Sequence, residues 1–423
     1  MMLERHMRRS VIFSEKLQIL SLVFSIVLLA LLISSIFPSA WQNYRLVIYT
    51  ATECIIASLA GVYLLGNVRK YPGVEDTFYV IPSFCVSYGG LILVLVLARI
   101  PYSRLLLISS FVISVIISIG YVIIRRRMKL RIGVVPIGEY ARLIETPGVD
   151  WHLLESSDVT IGLNAVSVDL WCDLPDEWER ELASLALRGI PVYHSKHLLE
   201  SLTGKVEIER LSENNFGTLS PLYAYMTVKH IADWVAALAA LVLLSPFLLL
   251  TAVLIRLDSP GPVIFRQIRI GYQGRPFQML KFRTMKAVNT SADRSLTRDS
   301  AMTKDNDQRI TRTGKFLRHS RLDELPQLFN ILKGEMSWIG PRPEADVLSR
   351  WYESEIPFYP YRHIVRPGIT GWAQVHQGHV ADVDQVKEKL HFDFYYIKNF
   401  SLWIDIIVTV RTIRTMLTGF GSR

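Results

Sequence analysis

Arg318, Asp323, Glu324 and Arg342 are the residues whose types and spacing point to chemistry. They lie in RHSRLDELPQLFNILKGEMSWIGPRP, residues 318–343, where adjacent acids stand between two arginines in an otherwise apolar segment. A carboxylate can attack phosphorus or hold a divalent cation, and planar guanidinium groups neutralise and orient phosphate oxygens. An amphipathic helix with a charged face and a Pro-rich turn would give the same string of residues. The surrounding elements decide between the two.

Further cations occur on both sides. In QMLKFRTM, residues 278–285, Lys281 and Arg283 alternate with Leu280 and Phe282, which predicts a half-buried strand with its cations on one face. A solvated edge strand would carry the same pattern. RHIVRPGITGWAQV, residues 362–375, adds Arg362 and Arg366, and its glycines and Pro367 predict a tight connection. The polar run Asn289 to Asp307 has no apolar periodicity and reads as a loop near the site, while Ile310 to Arg318 and Glu344 to Tyr352 read as helices.

Half of the 423 residues are hydrophobic, too many for an ordinary soluble chain, and the formal charge is +9 from 47 basic and 38 acidic residues. That balance suits nucleic acid, anionic lipid or a phosphorylated substrate, and position along the chain favours the last two. Four apolar runs open the protein: Leu17 to Phe37, Tyr44 to Leu65, Phe78 to Ala98 and Leu105 to Ile124. Each is about 20 residues, enough to cross a bilayer core as a helix. Arg5, Arg8, Arg9 and Lys16 precede the first, and Arg125, Arg126, Arg127, Lys129 and Arg131 follow the fourth, so both ends read as cytoplasmic. Glu53 lies inside the second run; without a partner charge in the other spans it reads as structural. The three cysteines form no CxxC pair, so neither a disulfide framework nor a thiolate metal site is supported.

A fifth apolar run, residues 230–258, is interrupted by Ser245 and Pro246. Proline cannot donate to the carbonyl four residues earlier, and Ser245 can satisfy part of the freed backbone. Lys229 and His230 before the run and Arg256, Arg266 and Arg269 after it leave neither flank looking translocated. The reading is a helix that enters the membrane, breaks at Ser245-Pro246 and returns to the same face.

The expected fold is thus membrane α plus α/β. Residues 1–129 form a four-span transmembrane domain and 130–220 a small Rossmann-like soluble domain. Residues 228–423 form a third domain that opens with a re-entrant helix-break-helix at 230–258 and carries the acid pair. In the soluble domain, strand-like runs at Ile132 to Ile137, Val159 to Leu163, Val166 to Leu170 and Ile190 to Tyr193 alternate with helical ones at Asp176 to Arg188 and His197 to Leu202. The dinucleotide fingerprint is missing, since GVVPIGEY follows the first strand without three spaced glycines. A regulatory, folding or oligomerisation role is the better reading, and homo-oligomers are compatible with it. The aromatic, basic stretch Lys387 to Leu417 reads as helices lying in the headgroup layer or as ordinary packed helices.

SPFLLLTAVLIRLDSPGPVIFRQ, KFRTM, LDELPQLFNILKGEMSWIGPRPE and VRPGITGWAQV occur in this order from about Val228 to the C-terminus. Together they resemble the bacterial sugar transferase family, the monotopic phosphoglycosyl transferases that start polysaccharide assembly on polyprenyl phosphate. The resemblance implies transfer of a sugar-1-phosphate from a UDP-sugar to undecaprenyl phosphate in the bacterial cytoplasmic membrane, with membrane lipid and not nucleic acid as the surrounding partner. It implies that Asp323 is the nucleophile and a Mg²⁺ ligand and that Glu324 assists it. Arg318 and Arg342 fall where the family places phosphate-binding arginines, and Ser245-Pro246 matches the break in the re-entrant helix. Lys281, Arg283 and Arg366 are read with them as phosphate-binding. Where the family has a small hydroxylated residue before the acid pair this chain has Arg321, and its soluble insert is shorter than usual. Two other classes compete: a DxD-type glycosyltransferase using Asp382 and Asp384, and a non-enzymatic membrane scaffold.

Overall fold

A computed structural model describes residues 8–36, 44–69, 71–72, 76–126, 130–155, 162–207, 223–286, 309–377 and 383–418. The chain divides into two compact units, Met1–Gly204 and Lys205–Arg423.

The first unit opens with four helices, α1 (Arg8–Ile36), α2 (Tyr44–Val68), α3 (Asp76–Leu97) and α4 (Arg104–Arg126). Their outward residues, such as Leu20, Phe24, Tyr63 and Leu97, are exposed and largely apolar, while several polar groups turn inward and pair. Gln18 donates to Ser118 at 3.0 Å, and Ser58 meets Tyr88 at 2.8 Å and Ser114 at 2.9 Å. Apolar outside and hydrogen-bonded inside is what lipid demands of a helix bundle. Glu53 is half-buried with Oε2 unbonded.

After α4 come β1 (Leu130–Val134), α5 (Ala141–Ile144), β2 (Val149–Leu153), β3 (Ala165–Val168), α6 (Asp176–Leu187), β4 (Val192–His194) and α7 (Ser195–Thr203). The strands form a parallel sheet in the order β2-β1-β3-β4. β2 is an addition to the expected strands, and most of the expected run Val159 to Leu163 lies outside the described residues. At the carboxyl ends of β1 and β3, where such sheets bind ligands, Asp169 fills the space itself. Its carboxylate accepts the Glu139 and Trp171 backbone N–H groups, both at 3.1 Å. A Cβ on Gly138 would lie 2.3 Å from it.

The second unit starts with α8 (Tyr223–Asp258), the fifth helix long and apolar enough to cross a membrane. With five such helices among the described residues the chain is a membrane protein. The expected break at Ser245-Pro246 is absent: α8 stays helical through Pro246, and the carbonyl that proline leaves without a donor, that of Val242, accepts the Ser245 hydroxyl at 2.8 Å. A hairpin follows, β5 (Ile264–Ile270) and β6 (Pro276–Phe282), paired antiparallel around a 3₁₀ turn, Tyr272–Gly274. Next come α9 (Arg312–His319), a 3₁₀ turn Leu322–Glu324, α10 (Gln327–Leu332), β7 (Ser337–Ile339), α11 (Asp346–Glu355), a 3₁₀ turn Tyr359–Ile364, β8 (Gly368–Thr370), α12 (Trp372–Gln377), α13 (Val383–Lys398) and α14 (Leu402–Thr418). The expected loop Asn289 to Asp307 lies outside the described residues.

α8 lies along this unit on both sides of Pro246. Before the proline, Ala237, Ala240 and Leu241 pack with Phe277, Met279 and Leu328; after it, Leu248, Ala252 and Ile255 pack with Phe282, Leu317, Leu322 and Leu325. Its opposite side leaves Leu243, Leu249, Leu250 and Leu257 exposed. Buried ions pin its start: Lys229 pairs with Asp405 at 2.8 Å, and Asp405 also accepts Tyr225 at 2.7 Å and Tyr396 at 2.8 Å. The C-terminal aromatics choose the packed alternative. Phe392, Phe394, Tyr395, Tyr396 and Phe400 are all buried, with Trp372 stacked on Tyr395, so these rings face the core and not a lipid surface.

Candidate active site

The acid pair is set by a backbone reversal. Arg321 adopts a left-handed conformation (φ 58°) at the end of α9 and caps the turn Leu322–Glu324. Leu322 and Leu325 reach toward the α8 cluster, and Asp323 and Glu324 are turned inside, 9% and 7% exposed. β6 brings Lys281. The Gly340–Pro343 segment brings Arg342, and its position depends on two glycines of separate motifs. A Cβ on Gly340 would lie 2.3 Å from the Arg366 carbonyl, and one on Gly368 would lie 2.1 Å from the Gly340 nitrogen. Only glycine allows the WIGPRP and RPGITG strands to approach this closely.

Glu324 Oε1 accepts Lys281 Nζ at 2.9 Å and Arg342 Nη2 at 2.6 Å. Burial alone would raise the Glu324 pKa, but Arg342 and then Lys281 outweigh it and hold the carboxyl well below its usual range. The Arg342 guanidinium is held up in turn by Glu324. Lys281 is pushed down to about 8 by burial, with Glu324 resisting and Arg342 adding to the fall. Asp323 moves the opposite way from its neighbour. Burial raises its pKa, the Glu324 charge raises it further, and Lys281, Arg342 and Arg321 pull it back only in part. Its Oδ1 is buried and accepts no hydrogen bond. Of two adjacent acids, one is committed to cations and the other has a buried oxygen without a hydrogen bond.

Behind Arg342 lies a buried charge network that the sequence did not reveal. The Arg342 carbonyl accepts Arg362 Nη2 at 2.9 Å, Arg362 pairs with Asp393 at 2.8 Å, and Glu344 pairs with Lys389 at 2.5 Å. Arg269 donates to the Pro343 carbonyl. Glu344 closes the GPRPE motif, but Lys389 and Asp393 are a helical repeat in α13 whose partners lie far away in sequence. No local pattern marks them.

Not all the expected phosphate ligands gather here. Arg283 is 6% exposed and donates to the carbonyls of Ser259 at 2.6 Å, Pro260 at 3.0 Å and Ile255 at 3.4 Å. It closes the C-terminal end of α8, whose carbonyls lack helical partners. β6 ends at Phe282, so the alternation that placed Arg283 beside Lys281 stops one residue short. Arg366 donates to the Gly334 carbonyl at 3.0 Å and stacks on Tyr272, 5.1 Å from the ring centre. Arg318 is half-buried in the last turn of α9 and, among the described residues, makes no ion pair. Asp384 is exposed at the start of α13, and Asp382 lies outside the described residues.

Among the described residues no group of three or more His, Cys, Asp or Glu side chains gathers around a metal position. Asp323, whose Oδ1 is buried without a hydrogen bond, is the acid of the pair that no cation engages directly. One carboxylate oxygen, completed by substrate phosphates and water, suits Mg²⁺. A cleft of about 500 Å³ lined by Tyr223, Met226, Tyr272, Glu353 and His363 does not include the acids. It sits by Met226, roughly 33 Å along α8 from Leu248 at 1.5 Å per residue.

The bacterial sugar transferase model matches residues 224–419. A UDP-N-acetylgalactosamine-undecaprenyl-phosphate N-acetylgalactosaminephosphotransferase of Aeromonas hydrophila is 45% identical over 387 residues, 90% of each chain. UDP-glucose:undecaprenyl-phosphate glucose-1-phosphate transferases are similar over the second unit. The Xanthomonas campestris protein is 47% identical over 190 residues (44% of this chain, 38% of its own), and the Escherichia coli K12 protein is 41% identical over 212 residues (48% and 44%). With its acid pair seated between Lys281 and Arg342 and similarity that runs through nearly its whole length, the chain belongs to the bacterial sugar transferase family.

Proposed function

We propose that this protein transfers a sugar-1-phosphate from a UDP-sugar to undecaprenyl phosphate, releasing UMP, through a covalent phosphosugar on Asp323. This is the first membrane step of exopolysaccharide, capsule or O-antigen synthesis. The observation that carries the reading is the contrast within the acid pair: Asp323 Oδ1 is buried and unbonded, while Glu324 is clamped by Lys281 and Arg342.

Asp323 attacks the sugar-bearing phosphorus, an Asp323 O–P bond forms, and the P–O bond to the nucleoside phosphate breaks with its electron pair leaving on UMP. A phosphate oxygen of the lipid then attacks the same phosphorus and frees Asp323. Neither half requires a proton. The groups around the acid therefore act by orienting phosphate and by offsetting negative charge. Arg342 and Lys281 do this beside Glu324, which fixes their side chains. Asp323 would hold Mg²⁺, and that ion supplies further charge stabilisation at the phosphates.

Both halves of α8 contact the same unit, which supports a helix that enters and leaves the membrane on one face. At 36 residues it is about 54 Å long, against roughly 30 Å of hydrocarbon. A straight crossing would draw the packed hairpin and acid site into lipid. The basic flanks of α8, Lys229 and Arg256, support a catalytic unit on the cytoplasmic face of the inner membrane, where the soluble donor and the lipid phosphate would both reach Asp323.

The test is incubation of membranes with a panel of radiolabelled UDP-sugars. Wild-type protein is expected to release UMP and give lipid-extractable label, and Asp323→Asn to give neither while still inserting. UDP release instead of UMP, or normal turnover by Asp323→Asn, refutes the covalent reading.

A further inference from the structure

Arg269 projects from β5 on the hairpin face that also carries Lys281. Cross-strand pairs share a face, and Phe265 lies opposite Lys281 while Arg269 lies opposite Phe277. Its Nε and Nη2 donate to Gln267 Oε1 at 3.2 and 2.9 Å, and its Nη1 donates to the Pro343 carbonyl. All of these acceptors are neutral. Among the described residues Arg269 makes no ion pair. The two acids whose charge it feels are engaged elsewhere, Glu324 by Lys281 and Arg342, Glu344 by Lys389 and at 3.9 Å by Arg362. A half-buried guanidinium beside a second guanidinium, without a carboxylate of its own, is costly unless an anion arrives to meet it.

We infer that Arg269 is a further substrate-binding residue of this site and that it takes the phosphate of the departing nucleoside monophosphate. The inference rests on the covalent transfer proposed above. Lys281 and Arg342 are held at Glu324, next to the attacking carboxylate, and serve the phosphoryl group being transferred. Arg269 is displaced from them along the hairpin, its cross-strand partner lying four residues from Lys281, about 13 Å of strand. In an in-line displacement the leaving oxygen lies on the far side of phosphorus from the nucleophile. A cation offset in this way meets the charge that develops on the leaving phosphate, while neutral contacts from Gln267 and Pro343 fix its orientation.

The experiment uses the full chain in detergent or nanodiscs and compares inhibition by UMP with inhibition by uridine, which lacks the phosphate. Arg269→Met is expected to weaken UMP inhibition at least tenfold and to raise KM for the UDP-sugar similarly, leaving uridine inhibition and the KM for undecaprenyl phosphate unchanged. Arg269→Lys is expected to recover part of the UMP affinity. Unchanged UMP inhibition in Arg269→Met overturns the assignment. So does an equal weakening of UMP and uridine, since that marks a merely structural brace for Pro343. If the wild-type enzyme releases UDP, the covalent reading falls first and takes this seat with it; if it releases UMP and only the Arg269 result fails, the reaction stands and the seat does not.

Discussion

Replacing Glu324 by glutamine keeps the shape of the side chain and removes its charge. Lys281 and Arg342, both half-buried, then lose the carboxylate that pairs with them directly, and Arg269 adds to their repulsion. Removing one partner from a buried ion pair costs about 3–5 kcal/mol. For a unit of this size that corresponds to roughly 6–20 °C in Tm, at about 2–4 °C per kcal/mol. The assay is thermal unfolding of the purified protein in detergent at pH 7. The sign with pH follows from the depressed Glu324 pKa: its stabilisation is complete above the ordinary glutamate value of 4.5 and is lost as pH falls toward the folded value, so the gap between wild type and variant should narrow in acid. Adding Lys281→Met removes one of the stranded cations, and the double variant should lose less than the sum of the single ones, by about 0.5–3 kcal/mol. A Glu324→Gln protein within about 2 °C of wild type, or strict additivity with Lys281→Met, would refute the view of Glu324 as the counter-charge that organises this site.

The raised Asp323 pKa places the acid limb of UMP release above the ordinary aspartate value of 3.8, because the attacking carboxylate forms only as pH rises through the folded value. Lys281→Met removes a cation that lowers this pKa and should move the limb up, whereas Glu324→Gln removes a like charge and should move it down; shifts in one common direction would contradict the electrostatics. Asn330 is fully buried and binds the outer edge of β6, donating to the Gln278 carbonyl at 2.7 Å and accepting the Leu280 N–H at 3.0 Å. Asn330→Ala should cost roughly 2–4 kcal/mol by stranding both groups, read as a lowered Tm. In a variant lacking the three native cysteines, single cysteines at Val228 and Gly274 should both react with a membrane-impermeant maleimide from the cytoplasmic side; opposite sides would mean that α8 spans.

Legibility followed the range of each interaction. Local patterns marked Asp323, Glu324 and Arg342, because a backbone reversal and a glycine approach leave compact motifs. The Ser245–Val242 hydrogen bond was legible for the same reason, since the carbonyl a proline orphans lies four residues back. Arg283 was misplaced because strand alternation says nothing about where a strand ends, and the open carbonyls of α8 claimed that guanidinium. The C-terminal rings could suit a headgroup layer or a core, and only the packing partners Trp372 and Ile339 decided it. Arg269, Lys389 and Asp393 were invisible because their roles arise from residues brought together over long separations.

The contrast within the acid pair also bears on why two carboxylates stand side by side at all. Phosphoryl transfer between oxygens that are already ionised needs no general base, so the second acid is not required to move a proton. What the site does need is a cluster of cations that stays assembled before a diphosphate arrives, and Lys281, Arg342 and Arg269 would repel one another in a buried space. Glu324 holds two of them together through Oε1 at 2.9 and 2.6 Å, and its own charge helps to raise the Asp323 pKa. In the proposed transfer a higher pKa would make Asp323 the more nucleophilic carboxylate of the two, while Lys281, Arg342 and Arg321 pull that rise back in part. On the proposed reaction adjacency is functional: one short turn would set both the cations Lys281 and Arg342 and the reactivity of the acid beside them.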